Sequence, residues 1–308
     1  MLISVTEPLS AAFARMKYIL FSPFDFPKWL TLGFCAFLVA LGQGGTPNFG
    51  FRGGTRRGGY FGHGADWVME NLAILIPLAA IILVLIIALG LLVSWLSARG
   101  EFMFLDGVVR NKGAVAEPWR RFRALGNSLF LFRFLLGLAV LLVMAVLAGV
   151  FALLAWSDLR GHNFGAGTLL AVIGSLVTIL PLSIAVAVFM VLVHDFVVPI
   201  MYRRNVLVLE ALGIFRTEIL ANHVGPIALF CLMRFVLGIA AAVIMMLGAC
   251  VTCCIAGLPY VSSVVFLPIS VLFRAYSLCF LEQFGEQWGL FPQPSLAPPE
   301  RDSQRPIV

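Results

Sequence analysis

Apolar residues run through this chain in blocks longer than a soluble amphipathic helix or a strand uses. Between Glu70 and Arg99 no residue is charged, and LAILIPLAAIILVLIIALGLLVSWL fills most of the interval. Crossing a bilayer takes about 20 predominantly apolar residues in a helix, so this block predicts a span. Phe134 to Ser157 predicts a second, and Gly161 to His194 a third with Pro181 as a kink near its middle. The uncharged run from Phe235 to Phe273 is too long for one helix, and AGLPY at Ala256–Tyr260 splits it into a tight pair. KWLTLGFCAFLVALG, starting at Lys28, is shorter, with Lys28 and Trp29 as an interfacial anchor. The expected fold is all-α, a polytopic transmembrane bundle of six spans at about 28–42, 72–97, 129–156, 168–193, 229–255 and 259–281. They make one transmembrane domain over 1–286, with a Gly-rich outer loop at 42–65 and a Pro-rich cytoplasmic tail, 287–308, expected to be disordered.

The polar residues that punctuate these blocks recur. FRFLLGLA at Phe132–Ala139 and MRFVLGIA at Met233–Ala240 place an arginine at the same point of an apolar run. FMFLDGVVRN, Phe102–Asn111, aligns without gaps to FVVPIMYRRN, Phe196–Asn205, and Phe122 and Arg123 match Phe215 and Arg216. Each unit is a descending span, a cytoplasmic segment and an ascending span, so the two are expected to be parallel hairpin repeats. FLE at Phe280–Glu282 is a weaker third echo of FLD at Phe104–Asp106. A charge at mid-membrane costs at least about 2.5–3.5 kcal/mol. Arg133, Arg234 and Arg274 are therefore expected at the cytoplasmic boundary, snorkelling toward headgroups. The other arrangement puts them inside the bundle, lining a polar cavity.

Composition strengthens the membrane reading. The chain is 61% hydrophobic and 12% charged, with a mean hydropathy of +1.01, too little charge to cover a soluble surface. The net charge of +6 fits an excess of Lys and Arg on the cytoplasmic side. With the N-terminus inside, all but four of the 21 Lys and Arg residues fall on that side, the exceptions being Arg52, Arg56, Arg57 and Arg160. Both termini are thus expected in the cytoplasm of a bacterial inner membrane. The N-terminal segment has no signal-peptide pattern. The six cysteines sit mostly in apolar runs and do not form a secreted disulfide framework.

Amphipathic stretches flank the spans. In EPWRRFRAL, Trp119, Phe122 and Leu125 share a face, while Arg120, Arg121 and Arg123 lie away from it. Near the N-terminus Leu9, Phe13, Met16 and Leu20 form a stripe beside Arg15 and Lys17. Such helices lie in the headgroup plane and attract anionic lipid. Lys28, Arg203 and Arg204 join these residues as expected headgroup or partner contacts. The segment GQGGTPNFGFRGGTRRGGYFGHG looks like an RGG nucleic-acid element, but it falls on the outer side and reads as a flexible exported loop, so no nucleic-acid partner is expected. CVTCC at Cys250–Cys254 offers Cys250, Cys253 and Cys254 as a redox group, against plain small-residue packing at a helix end. His194 and Asp195, with Asp106, form a candidate polar site, against interfacial capping; adjacent helix residues diverge by about 100°. No zinc-helix motif, serine elbow or metal-binding aspartate set follows, and no cofactor is expected.

SPFDFPKWLTLGF, RRFRALGNSLFLFRF, HDFVVPIMYRR and CCIAGLPYVSSVVFLPISVLFRAYSLCFLEQFG resemble an uncharacterised family of bacterial multi-pass membrane proteins. The layout is similar to the membrane domain attached to some glycerophosphodiester phosphodiesterases, and the catalytic barrel is expected to be absent. The resemblance implies a fold and no active-site residues. The expected role is non-enzymatic, a membrane scaffold or accessory subunit contacting anionic lipid and a partner protein or a second copy. Two alternatives stand beside it. One is a transporter or channel for a lipid or amphiphile, with Pro181, Pro268 and the boundary arginines along its path. The other is a membrane-embedded lipid-modifying enzyme using His194, Asp195 and Asp106.

Overall fold

A computed structural model describes residues 4–42, 71–161, 165–251 and 259–291, and helices with their connections account for all of them. In chain order these are α1 (Glu7–Phe21), α2 (Phe26–Gly42), α3 (Leu72–Arg110), α4 (Ala116–Arg121), α5 (Arg123–Arg160), α6 (Ala166–Leu192), α7 (Val198–Arg204), α8 (Val208–Ile214), α9 (Val224–Val251), α10 (Pro259–Val265) and α11 (Leu267–Glu282). A π-helical turn, Val193–Val197, carries α6 into α7 without a break, and a second, Phe215–Leu220, extends α8. Among the described residues four helical segments are long and apolar enough to cross a membrane: Ala73–Arg110, Arg123–Trp156, Ala166–Arg204 and Val224–Gly248.

These helices are too long to serve only as spans. The 39 residues of α3 reach about 58 Å at 1.5 Å per residue, nearly twice the hydrocarbon thickness of about 30 Å. Each long helix divides accordingly. In α3, Ile74 to Leu92 present exposed apolar side chains, whereas every residue from Ser97 to Val109 is buried. In α5 the order is reversed: Leu125 and Leu129 are buried, and exposed residues run from Leu131 to Trp156. The continuous α6–α7 helix is exposed from Leu169 to Val188 and buried from Asp195 to Met201; α9 buries Ile227 and Phe230 and exposes Leu232 to Leu247. Exposed apolar halves with no polar face belong in lipid. The protein core lies at one end of them.

That core is built around α11, where every residue from Arg274 to Leu281 is buried. Phe230 stacks on Tyr276 at 5.1 Å between centroids, meets Phe280 at 4.7 Å and Phe196 at 5.0 Å, so α9, α11 and the π turn interlock through rings. A helix apolar on all sides reads the same whether lipid or protein covers it. The segment expected as a sixth span, 259–281, is two helices parted at Phe266, and the second is enclosed by protein. Pro268 opens that second helix, in the first turn where a missing N–H costs nothing.

Two expectations change here. On α1 the buried line is Pro8, Ala12, Met16, Ile19 and Leu20, packed on α11, while Phe13 is 57% exposed. The small Ala12 permits the close approach, and Phe13, about 100° round the helix, is turned away. The described part of the expected tail is also packed, with Trp288, Leu290 and Phe291 buried. The Gly-rich loop beyond Gly42, Cys253, Cys254 and residues 292–308 lie outside the described residues.

Helix α2 lies along the buried half of α3, and Gly100 permits this contact. A Cβ added there would sit 2.6 Å from Leu38 Cβ and 3.4 Å from the Leu38 carbonyl carbon. Gly100→Val should destabilise the protein by about 1–3 kcal/mol through overpacking, read as a lowered midpoint of unfolding in detergent. Gly137, with open space around it, should accept Ala without loss.

Candidate functional site

Where the exposed halves meet the core, charged residues from five elements converge. Glu101 of α3 is fully buried and receives Arg133 of α5, Nη2 donating to Oε1 at 2.8 Å. His194 Nδ1 lies 2.6 Å from the same oxygen. Asp195, 1% exposed, receives Arg234 of α9, Nε donating to Oδ2 at 3.0 Å. The Arg234 guanidinium also covers the Phe273 ring at 3.8 Å, a cation–π contact strengthened by desolvation. The snorkelling expected of Arg133, Arg234 and Arg274 is therefore not what is observed. They lie at the end of the apolar halves, but they turn inward, Arg133 and Arg234 onto two buried carboxylates and Arg274 onto the His194 carbonyl.

The π turn explains how His194 and Asp195 both reach this cluster. Val198 N–H bonds back to the Val193 carbonyl, five residues earlier. Pro199, next in that register, has no N–H to give. The His194 carbonyl accepts from Arg274 Nη1 at 2.8 Å. A one-turn widening thus ties α11 to the α6–α7 helix and splays two neighbouring side chains onto separate partners. Such turns are frequent at functional sites.

Hollows open on the cluster. One of about 380 Å³ is lined by Gly42, Arg133, Met190, Val191, His194 and Arg234. A smaller one, about 140 Å³, reaches His194, Arg234, Ser270 and Arg274. On the other side of Arg234 an apolar groove of about 590 Å³ runs between α6 and α9, along Ile184, Ala187, Val188, Phe235, Gly238 and Ala242. Val191 and Arg234 belong to both the groove and the larger polar hollow.

Asp106 is not part of this cluster. It accepts from Tyr202 Oη at 2.7 Å and pairs with Arg110 at 3.1 Å, and five residues along α3 set it about 7.5 Å from Glu101. The proposed His194–Asp195–Asp106 grouping therefore does not assemble. Arg120, Arg121 and Arg123 are exposed, with Phe122 and Leu125 buried beneath them. Lys17 is exposed, and Arg15 is half-buried over the Phe291 ring at 4.6 Å. Lys28 Nζ donates to Asn111 Oδ1 at 3.0 Å, Arg203 Nε to the Gln287 carbonyl at 3.4 Å, and Arg204 lies 3.6 Å from Glu218. Cys250 is exposed near the end of α9. No group of three or more His, Cys, Asp or Glu side chains is placed to hold a metal ion among the described residues.

Glu101 is the residue that sequence reasoning missed. Its signal was one position away: extending the gapless match of Phe102–Asn111 to Phe196–Asn205 back by one residue sets Glu101 against Asp195. Each of the two matching segments then carries an acid, and the two acids pair with Arg133 and Arg234 respectively. Removing one partner of a buried pair costs about 3–5 kcal/mol, because the other is left charged and unpaired. Asp195→Leu should lose stability of that order, and Asp195→Leu with Arg234→Met should regain much of it. Equal unfolding midpoints for the single variant and the parent would contradict the pairing.

No curated protein and no solved structure matches the chain. The sequence pattern of DUF7544, a family of unknown function, matches residues 3–267. That match supports an uncharacterised polytopic membrane protein and does not single out the membrane domain of glycerophosphodiester phosphodiesterases. With 265 of 308 residues matched, four long apolar helices and an ion-paired cluster at their base, this protein belongs to the DUF7544 family.

Proposed function

We propose that this is a non-enzymatic membrane protein that takes up an amphiphile from the bilayer between α6 and α9, with the polar head turned toward Arg133, His194 and Arg234. The observation that carries this reading is the junction at Arg234: an apolar groove of about 590 Å³ on one side and a charged hollow of about 380 Å³ on the other. Both volumes fall within the range of about 300–1,000 Å³ used by small-molecule sites. A scaffold needs neither hollow. A transporter or lipid-handling protein uses both, one for the chain and one for the head.

The same reading takes the chain as two parallel hairpin repeats, α3 with α5 and α6 with α9, in a bacterial inner membrane with the termini in the cytoplasm. Three correspondences support the repeat. Asn111 and Asn205 both close their helices in the left-handed conformation, at φ 55° and 54°. Phe102 meets Phe122 at 6.1 Å as Phe196 meets Phe215 at 5.4 Å. The Glu101–Arg133 pair has its counterpart in Asp195–Arg234. The groove lies within the second unit, between its first long helix α6 and its last, α9.

A lipid carrying a photoreactive diazirine at its chain end, reconstituted with the protein in liposomes, should label Ile184–Val188 and Gly238–Ala242, the end of the groove away from Arg234. A Cβ at Gly238 meets nothing within 4 Å, so Gly238→Trp should fill the groove without disturbing the fold and remove most of that labelling. Labelling spread evenly along the exposed halves of α3 and α5 would overturn the reading. It would return the scaffold role, for which the exposed Arg120, Arg121 and Arg123 supply the charge.

A further inference from the structure

The cluster carries more positive charge than its own carboxylates balance. Among the described residues it holds Arg133, Arg234 and Arg274 against Glu101 and Asp195. Arg274 is the odd cation. It is 2% exposed and bonds through Nη1 to a backbone carbonyl, which carries no formal charge. Its Nε and Nη2, and Arg133 Nε, are buried with no hydrogen-bond partner among the described residues. Buried guanidinium nitrogens left this way cost more than neutral groups do.

The third echo of the repeat shows why. Setting Phe280–Glu282 against Phe104–Asp106 places Ser277 opposite Glu101. Where the first two copies have an acid, the third has a hydroxyl, and Ser277 Oγ donates to the carbonyl of Arg274 itself, at 3.0 Å. Arg133 and Arg234 thus pair directly with a carboxylate, whereas Arg274 makes no ion pair among the described residues and shares the through-space field of Glu101 and Asp195 with the other two. Arg274 lines the small hollow together with His194 and Arg234, and Arg234 is the wall shared with the apolar groove.

Resting on the reading of the α6–α9 groove as an amphiphile site, we propose that its ligand is a membrane lipid with an anionic headgroup, whose charge completes the Arg133–Arg234–Arg274 cluster. A phosphate or carboxylate head supplies the acceptors that these nitrogens lack, and arginine holds both ions through paired N–H donors. A zwitterionic choline head would bring its ammonium toward three guanidiniums and is disfavoured by the same charges. The apolar groove makes the ligand a lipid; a free anion has no use for it.

The test is a competition. Purified protein is equilibrated with equimolar phosphatidylglycerol and phosphatidylcholine of identical chains, and the bound lipids are counted by native mass spectrometry. The parent should favour phosphatidylglycerol by roughly tenfold or more, the scale of a charge-assisted pair. Ser270 lines the small hollow one helical turn before Arg274, so Ser270→Asp supplies the missing carboxylate from within, at a favourable i,i+4 spacing. It should raise the unfolding midpoint and bring the preference below about threefold, while diazirine labelling of the groove persists. Arg274→Gln should also lose the preference; should that variant fail to fold, Ser270→Asp, which removes no native contact of Arg274, decides alone. Equal retention of both lipids by the parent, or an unchanged preference in Ser270→Asp, would overturn the anionic assignment and leave the amphiphile site standing. Absence of groove labelling in the parent would overturn both. A stabilisation by inorganic phosphate equal to that given by phosphatidylglycerol would assign the cluster to a free anion and overturn the lipid.

Discussion

Burying charge next to a bilayer is the constraint on which this structure depends. A lone guanidinium in hydrocarbon costs at least about 2.5–3.5 kcal/mol, and a buried one without a partner costs more than a paired one. The chain meets this by bringing Glu101 from α3 and Asp195 from the π turn to the level where Arg133, Arg234 and Arg274 emerge from their helices. One plane of ion pairs therefore fixes the relative height of α3, α5, α6, α9 and α11. The aromatic interlock of Phe196, Phe230, Tyr276 and Phe280 fills the space around it with apolar contact.

Two different solvents act on each long helix. Beyond the ion-paired plane, α3, α5, α6 and α9 expose unbroken apolar surface. On the core side of it α2 and α11 pack against α3, α11 also meets the π turn and the Phe230 ring of α9, and α1 covers α11. Asp158 ties the far ends of α5 and α6 together by accepting from Thr168 N–H at 2.8 Å, in the first turn of α6. Trp156 with Arg160 at that end, and Trp95 and Trp119 around Arg99 near the core, bracket the apolar stretch with aromatic and basic residues, as membrane interfaces do. The groove between α6 and α9 interrupts this otherwise simple arrangement, and it opens where the charges are.

Much of the frame was legible in the sequence. Uncharged blocks announced α3, α5, α6 and α9, and the face defined by Trp119, Phe122 and Leu125 is the one turned inward. The segment 259–281 was not legible as a core helix, since hydropathy does not distinguish lipid from protein as the covering. The arginines were read at the right place along their helices and in the wrong direction. Direction depends on Glu101, which sits between residues whose burial no local pattern signals. His194 and Asp195 were visible as unusual residues, yet their joint use requires a π turn, and the only local hint of that turn is Pro199. Asp106 stood out equally and serves a separate contact with Tyr202 and Arg110. Tertiary pairing decides which acid matters, and a single sequence does not print it.

The most direct measurement is a cryo-EM map of the protein in lipid nanodiscs at a resolution that shows arginine side chains. Pairing predicts continuous density from Arg133 to Glu101 and from Arg234 to Asp195, with elongated density between α6 and α9 ending at Arg234. Guanidiniums directed outward to the headgroup layer, with α6 and α9 closed against each other and nothing between them, would contradict it.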